Sequence, residues 1–239
     1  MKNNPTIAVI GAMDCEIEQL KKSIKDVEVY KKGQFEVLEG KIGNTNVVLA
    51  KSGVGKAAAA MTVQLIADKF NPDYIINTGV AGGLAEDLSV GDVVVGEELV
   101  QHDFDATALG YAKGYMCTGF QKDKPTVFHA DEKLIELFED AAKKYYTSGK
   151  THRGIITTGD MFMSDLAKRA EVKNLFNAKA VEMEGAAIAQ AATANDIPFV
   201  VVRVISDLAN GEAATSLDQF ETEMAILSSK LVNSLIENI

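Results

Sequence analysis

Short apolar runs, each closed by a small polar or glycine-containing turn and most followed by a longer stretch of helical character, recur along this chain and constrain its fold most. The clearest runs are Ile7–Ile10, Val47–Ala50, Tyr74–Ile76 and Phe199–Ile205. Strands that are apolar at nearly every position are buried on both faces, as in a parallel sheet covered by helices on each side. The pattern therefore predicts an α/β fold, a three-layer α/β/α sandwich around a mixed, mostly parallel central sheet.

The rest of the chain fits the same architecture. Two further strands are predicted at Asp92–Val95 and Gly154–Thr157, and helices at Glu16–Ile24, Lys56–Phe70, Asp165–Leu175 and Leu217–Ile239. Residues 31–41 alternate less cleanly and could form an antiparallel hairpin, so we predict a mixed sheet. Because the 239 residues contain no linker and no repeat, we predict one domain over residues 1–239.

Charge and cysteine content disfavour several classes of partner. The chain has 34 acidic and 24 basic side chains and a formal net charge of −10. Such a surface repels phosphate backbones and anionic lipids, so neither nucleic acid nor a membrane is expected as a partner. Cys15 and Cys117 have no zinc-ligand spacing, and no signal peptide is apparent. We expect reduced thiols, no metal and a cytoplasmic location.

Polar segments follow four of the predicted strands where each strand ends. They are Gly11–Glu16, Ser52–Lys56, Asn77–Gly83 and Ser206–Asp207. In open α/β sheets ligands bind beyond the carboxyl ends of the strands, so these segments are expected to meet at one edge. The second segment lacks a Walker A pattern and the third lacks GxGxxG, so neither a nucleoside triphosphate site nor a dinucleotide site is expected.

Acidic residues in these segments are the first candidates for chemistry. Asp207 ends a strongly apolar strand that also contains Arg203, and a charge there is costly unless it is paired. An ion pair and a functional role are equally open for Arg203. Glu184 precedes a helix of small apolar residues, where an acid often only complements the helix dipole. Glu16 opens an amphipathic helix, and the pattern alone does not select it.

The histidines are weaker candidates for acid–base chemistry than these acids. His102 lies beside Asp103, but adjacent side chains point apart in a strand, so this pair does not indicate a catalytic dyad. The chain has three histidines and no evident Ser-His-Asp or Cys-His set. Carboxylates are therefore the expected acid–base groups.

Seven segments in order carry a family resemblance, although none is specific alone. They are Ile10–Met13 with Glu16, Lys51–Lys56, Ile76–Leu84, Val90–Asp92, Thr158–Phe162, Val181–Glu184 and Val201–Asp207. Together they resemble the 5′-methylthioadenosine/S-adenosylhomocysteine nucleosidases of the nucleoside phosphorylase-like fold. The resemblance implies hydrolysis of the N9–C1′ bond of these two nucleosides, without a cofactor, in methionine salvage and recycling of S-adenosylmethionine by-products. It leaves 5′-deoxyadenosine open as a further substrate.

The resemblance also implies roles for single residues. Asp207 would protonate adenine N7 with help from Ser206, Glu184 would bind the ribose hydroxyls, and Glu16 would orient the attacking water with Arg203. Further substrate-binding residues implied are Phe162 and Met163 at the base, Met183 at the ribose, and Glu182, Val80, Ala81, Gly82, Val54, Leu109 and Leu217. Cleavage creates an oxocarbenium-like ribosyl centre and an anionic purine. The leaving-group acid should therefore have a pKa raised by burial.

Three positions depart from the family pattern. Val80 stands where relatives often have a serine that can help hold the water, and Leu109 and Leu217 stand where relatives often have phenylalanine near the 5′-substituent. In the family, the loop carrying Leu109 reaches the neighbouring subunit's site. This implies a homodimer and accounts for the polar, weakly periodic residues 101–124.

Rival functions remain open at this stage. A phosphate-dependent purine nucleoside phosphorylase would need cationic groups, yet the three arginines are Arg153, Arg169 and Arg203, and none lies in the first 150 residues. An aminodeoxyfutalosine nucleosidase is not excluded. A non-catalytic nucleoside-binding module has no need of Glu16, Glu184 and Asp207 together, which disfavours it.

Overall fold

The computed structural model describes residues 4–119, 121–146, 149–208 and 213–238, the last range without the side chains of residues 213–222, 237 and 238. The strands are β1 (Thr6–Gly11), β2 (Lys25–Lys32), β3 (Phe35–Ile42), β4 (Thr45–Lys51), β5 (Tyr74–Gly83), β6 (Val93–Gln101), β7 (Phe128–His129), β8 (Thr151–Thr158), β9 (Ala178–Glu182) and β10 (Phe199–Asp207). The helices are α1 (Asp14–Ser23), α2 (Lys56–Phe70), α3 (Glu132–Tyr145), α4 (Leu166–Phe176), α5 (Gly185–Ala194) and α6 (Ala213–Asn238).

These strands form one mixed sheet, as predicted. Its order is β10-β6-β8-β9-β5-β1-β4-β3-β2, with β7 beside β6, and β10 also pairs with β5. That extra pairing closes β5, β10, β6, β8 and β9 into a ring, from which β1, β4, β3 and β2 extend. The ladders β4–β1, β1–β5 and β5–β10 are parallel. The expected antiparallel hairpin at residues 31–41 joins β2 to β3, and a second joins β3 to β4.

Helices cover both faces of the sheet, which confirms the three layers. Strand β1 shows why, because successive side chains of a strand point to opposite faces. Ala8 and Ile10 pack with α2 and α5 in one buried cluster, whereas Ile7 and Val9 pack with α1, α3 and α6 in another. Each helix on the second side presents apolar residues at helical spacing, such as Ile17 and Leu20 in α1.

The structure differs from the sequence prediction at several places, and strands β7 and β9 are among the elements that were not predicted. Residues 77–83, predicted to be a turn, continue β5, because they pair with β10 on one side and β9 on the other. Helix α3 was not predicted, although Leu134, Ile135, Phe138 and Ala142 follow a helical period and Asp131 caps its first turn through a bond from Leu134 N. Within the described ranges, no helix is both long and apolar enough to span a bilayer.

Candidate active site

Polar segments from β1, β4, β5 and β10 meet at one edge of the sheet, as predicted. Gly53 N donates to Ala12 O, and Val80 N donates to a carboxylate oxygen of Glu16. Four acids and one arginine are buried in this region: Glu16, Glu182, Glu184, Asp207 and Arg203. Because burying an ionised group is costly, their hydrogen-bond partners show which of them are fixed by the protein.

Glu16 lies in the first turn of α1 and is held by three backbone donors. Its Oε2 accepts from Ala12 N at 2.7 Å and Met13 N at 3.0 Å, and its Oε1 accepts from Val80 N at 3.1 Å. Burial raises the pKa of Glu16, while the charge of Arg203 and the three backbone donors act against that rise. The result is an oriented carboxylate that is more basic than an exposed glutamate.

Glu184 immediately precedes α5, and its Oε1 accepts from Gly55 N at 2.8 Å. The pKa of Glu184 is raised to about 7, mainly by burial and secondly by the nearby charge of Glu182. The charge of Arg203 and the bond from Gly55 oppose this rise. Glu184 therefore exchanges a proton near neutral pH.

Glu182, at the end of β9, is fully engaged by protein groups. Its Oε2 accepts from Glu184 N at 3.0 Å, from Gly185 N at 2.7 Å and from Arg203 Nη2, and its Oε1 accepts from Thr158 Oγ1. This carboxylate therefore fixes the start of α5, and with it the backbone of Glu184.

Arg203 lies on β10, is 1% exposed and forms a buried ion pair with Glu182. It also donates to Asn77 Oδ1 at 2.6 Å and to Val202 O at 3.0 Å. Of the two roles left open by the sequence, the geometry shows the ion pair. Its charge also acts on Glu16, where it opposes the rise in pKa that burial causes.

Asp207 ends β10 opposite Gly82 of β5, after an irregularity in the ladder at Ser206. Ser206 Oγ lies 3.0 Å from Asp207 Oδ2 and 3.4 Å from Ala81 O. The irregularity therefore lets two consecutive polar residues of an otherwise apolar strand act together at the strand's end.

A small cleft of about 40 Å³ joins Asp207 to the methionines and the aromatic residue implied by the resemblance. It is lined by Gly82, Met161, Phe162, Met163, Val181, Glu182, Met183 and Asp207. Two larger clefts, of about 450 and 640 Å³, lie along β6 and β8 and contain none of the four acids. Since perturbed acids cluster at functional sites, we assign the site by its chemistry and not by volume.

Comparison with known proteins identifies the family. The model of the phosphorylase superfamily matches residues 6–238. The 5′-methylthioadenosine/S-adenosylhomocysteine nucleosidase of Staphylococcus haemolyticus is 41% identical over 97% of this chain and 99% of its own length. The chain belongs to the 5′-methylthioadenosine/S-adenosylhomocysteine nucleosidase family.

Solved structures of the nucleosidase family agree in fold over the whole chain. The Neisseria meningitidis enzyme in complex with methylthio-immucillin-A has a TM-score of 0.92 and 40% identity, covering 98% of this chain and 100% of that one. The Streptococcus pyogenes enzyme in complex with 5-methylthiotubericidin has a TM-score of 0.91 and 38% identity, covering 100% and 98%. The resemblance found in the sequence is therefore confirmed.

In this member of the nucleosidase family, the remaining predicted residues differ in how directly they contact the buried polar groups. Val80 and Ala81 are on β5 and bond Glu16 and Ser206 through their backbones. Val54 adjoins Gly55 and is exposed, and Leu109 ends a short 3₁₀ turn and is 71% exposed. Leu217 falls among the α6 side chains that lie outside the described residues.

Sequence reasoning assigned no role to several residues that position these charged groups. Gly55, Asn77 and Thr158 bond Glu184, Arg203 and Glu182 respectively. A Cβ on Gly79 would overlap Glu16 Oε1, so only glycine leaves room for that carboxylate. Asn77 and Thr158 could have been found, since each is a polar residue at the end of an apolar strand.

Proposed function

We propose that this protein hydrolyses the N9–C1′ bond of 5′-methylthioadenosine and S-adenosylhomocysteine and releases adenine and the 5-substituted ribose. The observation that carries the proposal is the buried set of Glu16, Glu184 and Asp207, in a chain 41% identical to a nucleosidase of that name. These acids divide into a leaving-group acid, a ribose ligand and a water base.

Asp207 is the leaving-group acid in this proposal. When the C1′–N9 bond breaks, its electron pair moves to the purine, and a proton from Asp207 goes to N7. Ser206 Oγ, 3.0 Å from Asp207 Oδ2, holds the carboxyl group in place. Phe162 and Met163 line the same cleft and supply an apolar surface for the flat base.

Glu16 is the base for the attacking water. An ionised carboxylate has about four lone-pair sites, so the three backbone donors leave capacity for one water. The water oxygen attacks C1′, one water proton goes to Glu16, and both acids then regain their starting protonation from solvent. Val80 serves here through its N–H, so the absence of a serine hydroxyl at this position does not remove the support of Glu16.

Glu184 binds the ribose hydroxyls. Its Oε1 is held by Gly55 N, and its Oε2 retains acceptor capacity for hydroxyl donors. Ionised, it also stabilises the positive charge that develops on the sugar. Met183, beside it in the chain, contributes to the apolar wall of the cleft.

We also propose a homodimer in which residues near Leu109 close the partner's site. Several large apolar side chains are exposed in the monomer, among them Val54, Met61, Leu109, Phe162 and Leu166. Lys56 ties their segments together through an ion pair of 2.6 Å with Asp103 and a backbone bond to Asp160. Large apolar side chains exposed on segments that are held together in this way favour burial by a second copy. Light scattering after size exclusion tests this; a monomeric active enzyme would overturn it.

A turnover panel tests the reaction. Release of adenine from methylthioadenosine, S-adenosylhomocysteine, 5′-deoxyadenosine and adenosine is measured with and without phosphate. We expect methylthioadenosine and S-adenosylhomocysteine each to react as well without phosphate as with it. The reason is that the site cations Arg203 and Lys56 are already paired with Glu182 and Asp103. Strict dependence on phosphate would instead establish a phosphorylase.

A further inference from the structure

Two adjacent serines of α6 form buried hydrogen bonds directly behind the site. Ser228 and Ser229 are both completely buried, where a hydroxyl is costly unless it is bonded. Ser229 Oγ donates to the backbone oxygen of Glu16 at 2.6 Å, and Ser228 Oγ lies 2.5 Å from Thr78 Oγ1. Consecutive helical residues point in different directions, so one helix bonds two separate elements.

Those two elements are the ones that hold the Glu16 carboxylate. Ser229 fixes the turn of α1 that carries Glu16 itself. Ser228 fixes β5 at Thr78, the residue before Gly79 and two before Val80, whose N–H donates to Glu16 Oε1. The carboxylate therefore lies between two segments whose separation is set by one pair of serines.

We propose that Ser228 and Ser229 are positioning residues for Glu16, which hold α1 and β5 in the register that orients the water base. This inference rests on the proposed function, because it assigns a purpose to the position of Glu16 in that reaction. Neither serine touches the reacting atoms. Their effect is on the geometry of the carboxylate and its backbone donors.

Replacing either serine should lower kcat and leave KM nearly unchanged. A misplacement of about 1 Å can cost up to about a hundredfold in rate, so we expect roughly a tenfold loss of kcat for Ser229→Ala and about threefold for Ser228→Ala. KM should change less than about twofold, since Glu184 and the base cleft keep their contacts.

A pH profile separates positioning from mere loss of stability. The backbone donors act to lower the pKa of Glu16, so loosening them raises that pKa and moves the acid limb of kcat to higher pH. The charged groups that face Glu16 are Arg203 of β10 and Glu184 before α5, and neither serine contacts them in the described part of the chain. A purely structural serine would leave the limb where it is.

The experiment uses the full chain and a matched control. Thr45 is also buried and donates from Oγ1 to Ile236 O of α6 at 3.3 Å, far from Glu16 along the helix. Thr45→Val thus removes a comparable bond between α6 and the sheet. We measure kcat, KM, the acid limb and the thermal midpoint with methylthioadenosine. We expect the limb to move in both serine variants and to stay in Thr45→Val.

Several results would overturn the proposal. An unmoved limb and unchanged kcat in Ser229→Ala, while Glu16→Gln is inactive, overturn the positioning role and leave the proposed function standing. A wild-type protein that releases no adenine overturns both. If Ser229→Ala does not fold, Thr78→Val removes the partner of Ser228 at constant shape, and an unmoved limb there also refutes the proposal.

Discussion

Two sites with buried acids lie close together in this molecule, and their pKa values shift in opposite directions. At the start of β6, Asp92 accepts from Lys150 N at 2.8 Å and Ser89 N at 2.9 Å, with His152 Nε2 at 3.3 Å. Burial alone would raise the pKa of Asp92, but these partners outweigh it and the pKa is lowered. At the active site, burial instead prevails, and the pKa values of Glu16 and Glu184 are raised.

The difference lies in how strongly burial acts on the acids and in how many of them share one cation. Asp92 has a set of partners to itself, whereas Glu16, Glu182 and Glu184 share one buried cation, Arg203. Glu182 forms the ion pair with that cation, which leaves the neighbouring Glu16 and Glu184 more basic. Strong burial with little positive charge is thus what separates the proposed catalytic carboxylates from the structural one.

The strongest test concerns the acid at the end of β10. We expect Asp207→Asn to lower kcat by roughly two to four decades, the range for loss of a general acid. The amide keeps the shape of the side chain, so the thermal midpoint should stay near that of the wild type. Adenine release measured at saturating substrate checks the rate. Nearly full turnover would remove Asp207 from the mechanism.

A second test removes the anionic partner of the shared cation. Glu182→Gln leaves Arg203 buried without its anionic partner, and loss of one member of such a pair typically costs about 3–5 kcal/mol. We expect the free energy of unfolding, measured with urea, to fall by that order. Without the negative charge of Glu182, the pKa of Glu184 should also fall. An unchanged free energy of unfolding would show that Arg203 does not depend on Glu182.

The candidate site also shows which contacts the sequence can predict and which it cannot. Asp207 follows an apolar strand, and the edge at which it acts was predictable from the strand ends alone. Glu16 was not, because its third donor, Val80, lies 64 residues further along the chain. The pairing of Arg203 with Glu182 depends on the closed ring of strands. Periodicity identifies each strand but does not give its neighbours.

The pH dependence of stability and activity tests the raised pKa of Glu184. Since the pKa of Glu184 is about 7 in the folded protein and 4.5 ordinarily, the native state binds the extra proton between these values. Its contribution to stability therefore rises as the pH falls from about 7 toward 4.5, while ribose binding weakens. We expect kcat/KM to decline below about pH 7. A profile flat down to pH 5 would contradict the raised pKa.

The smallest effect is expected at Asp92. Asp92→Asn places an amide where one carboxylate oxygen accepted a backbone N–H, and an unmatched buried donor costs about 1–3 kcal/mol. The backbone bond from Ile205 N to Asp92 O survives the change, so the end of β10 keeps its position. We therefore expect a lower urea midpoint with kcat within about threefold of wild type. If kcat fell as far as in Asp207→Asn, Asp92 would belong to the catalytic machinery, and the distinction between the structural acid and the active-site acids would fail.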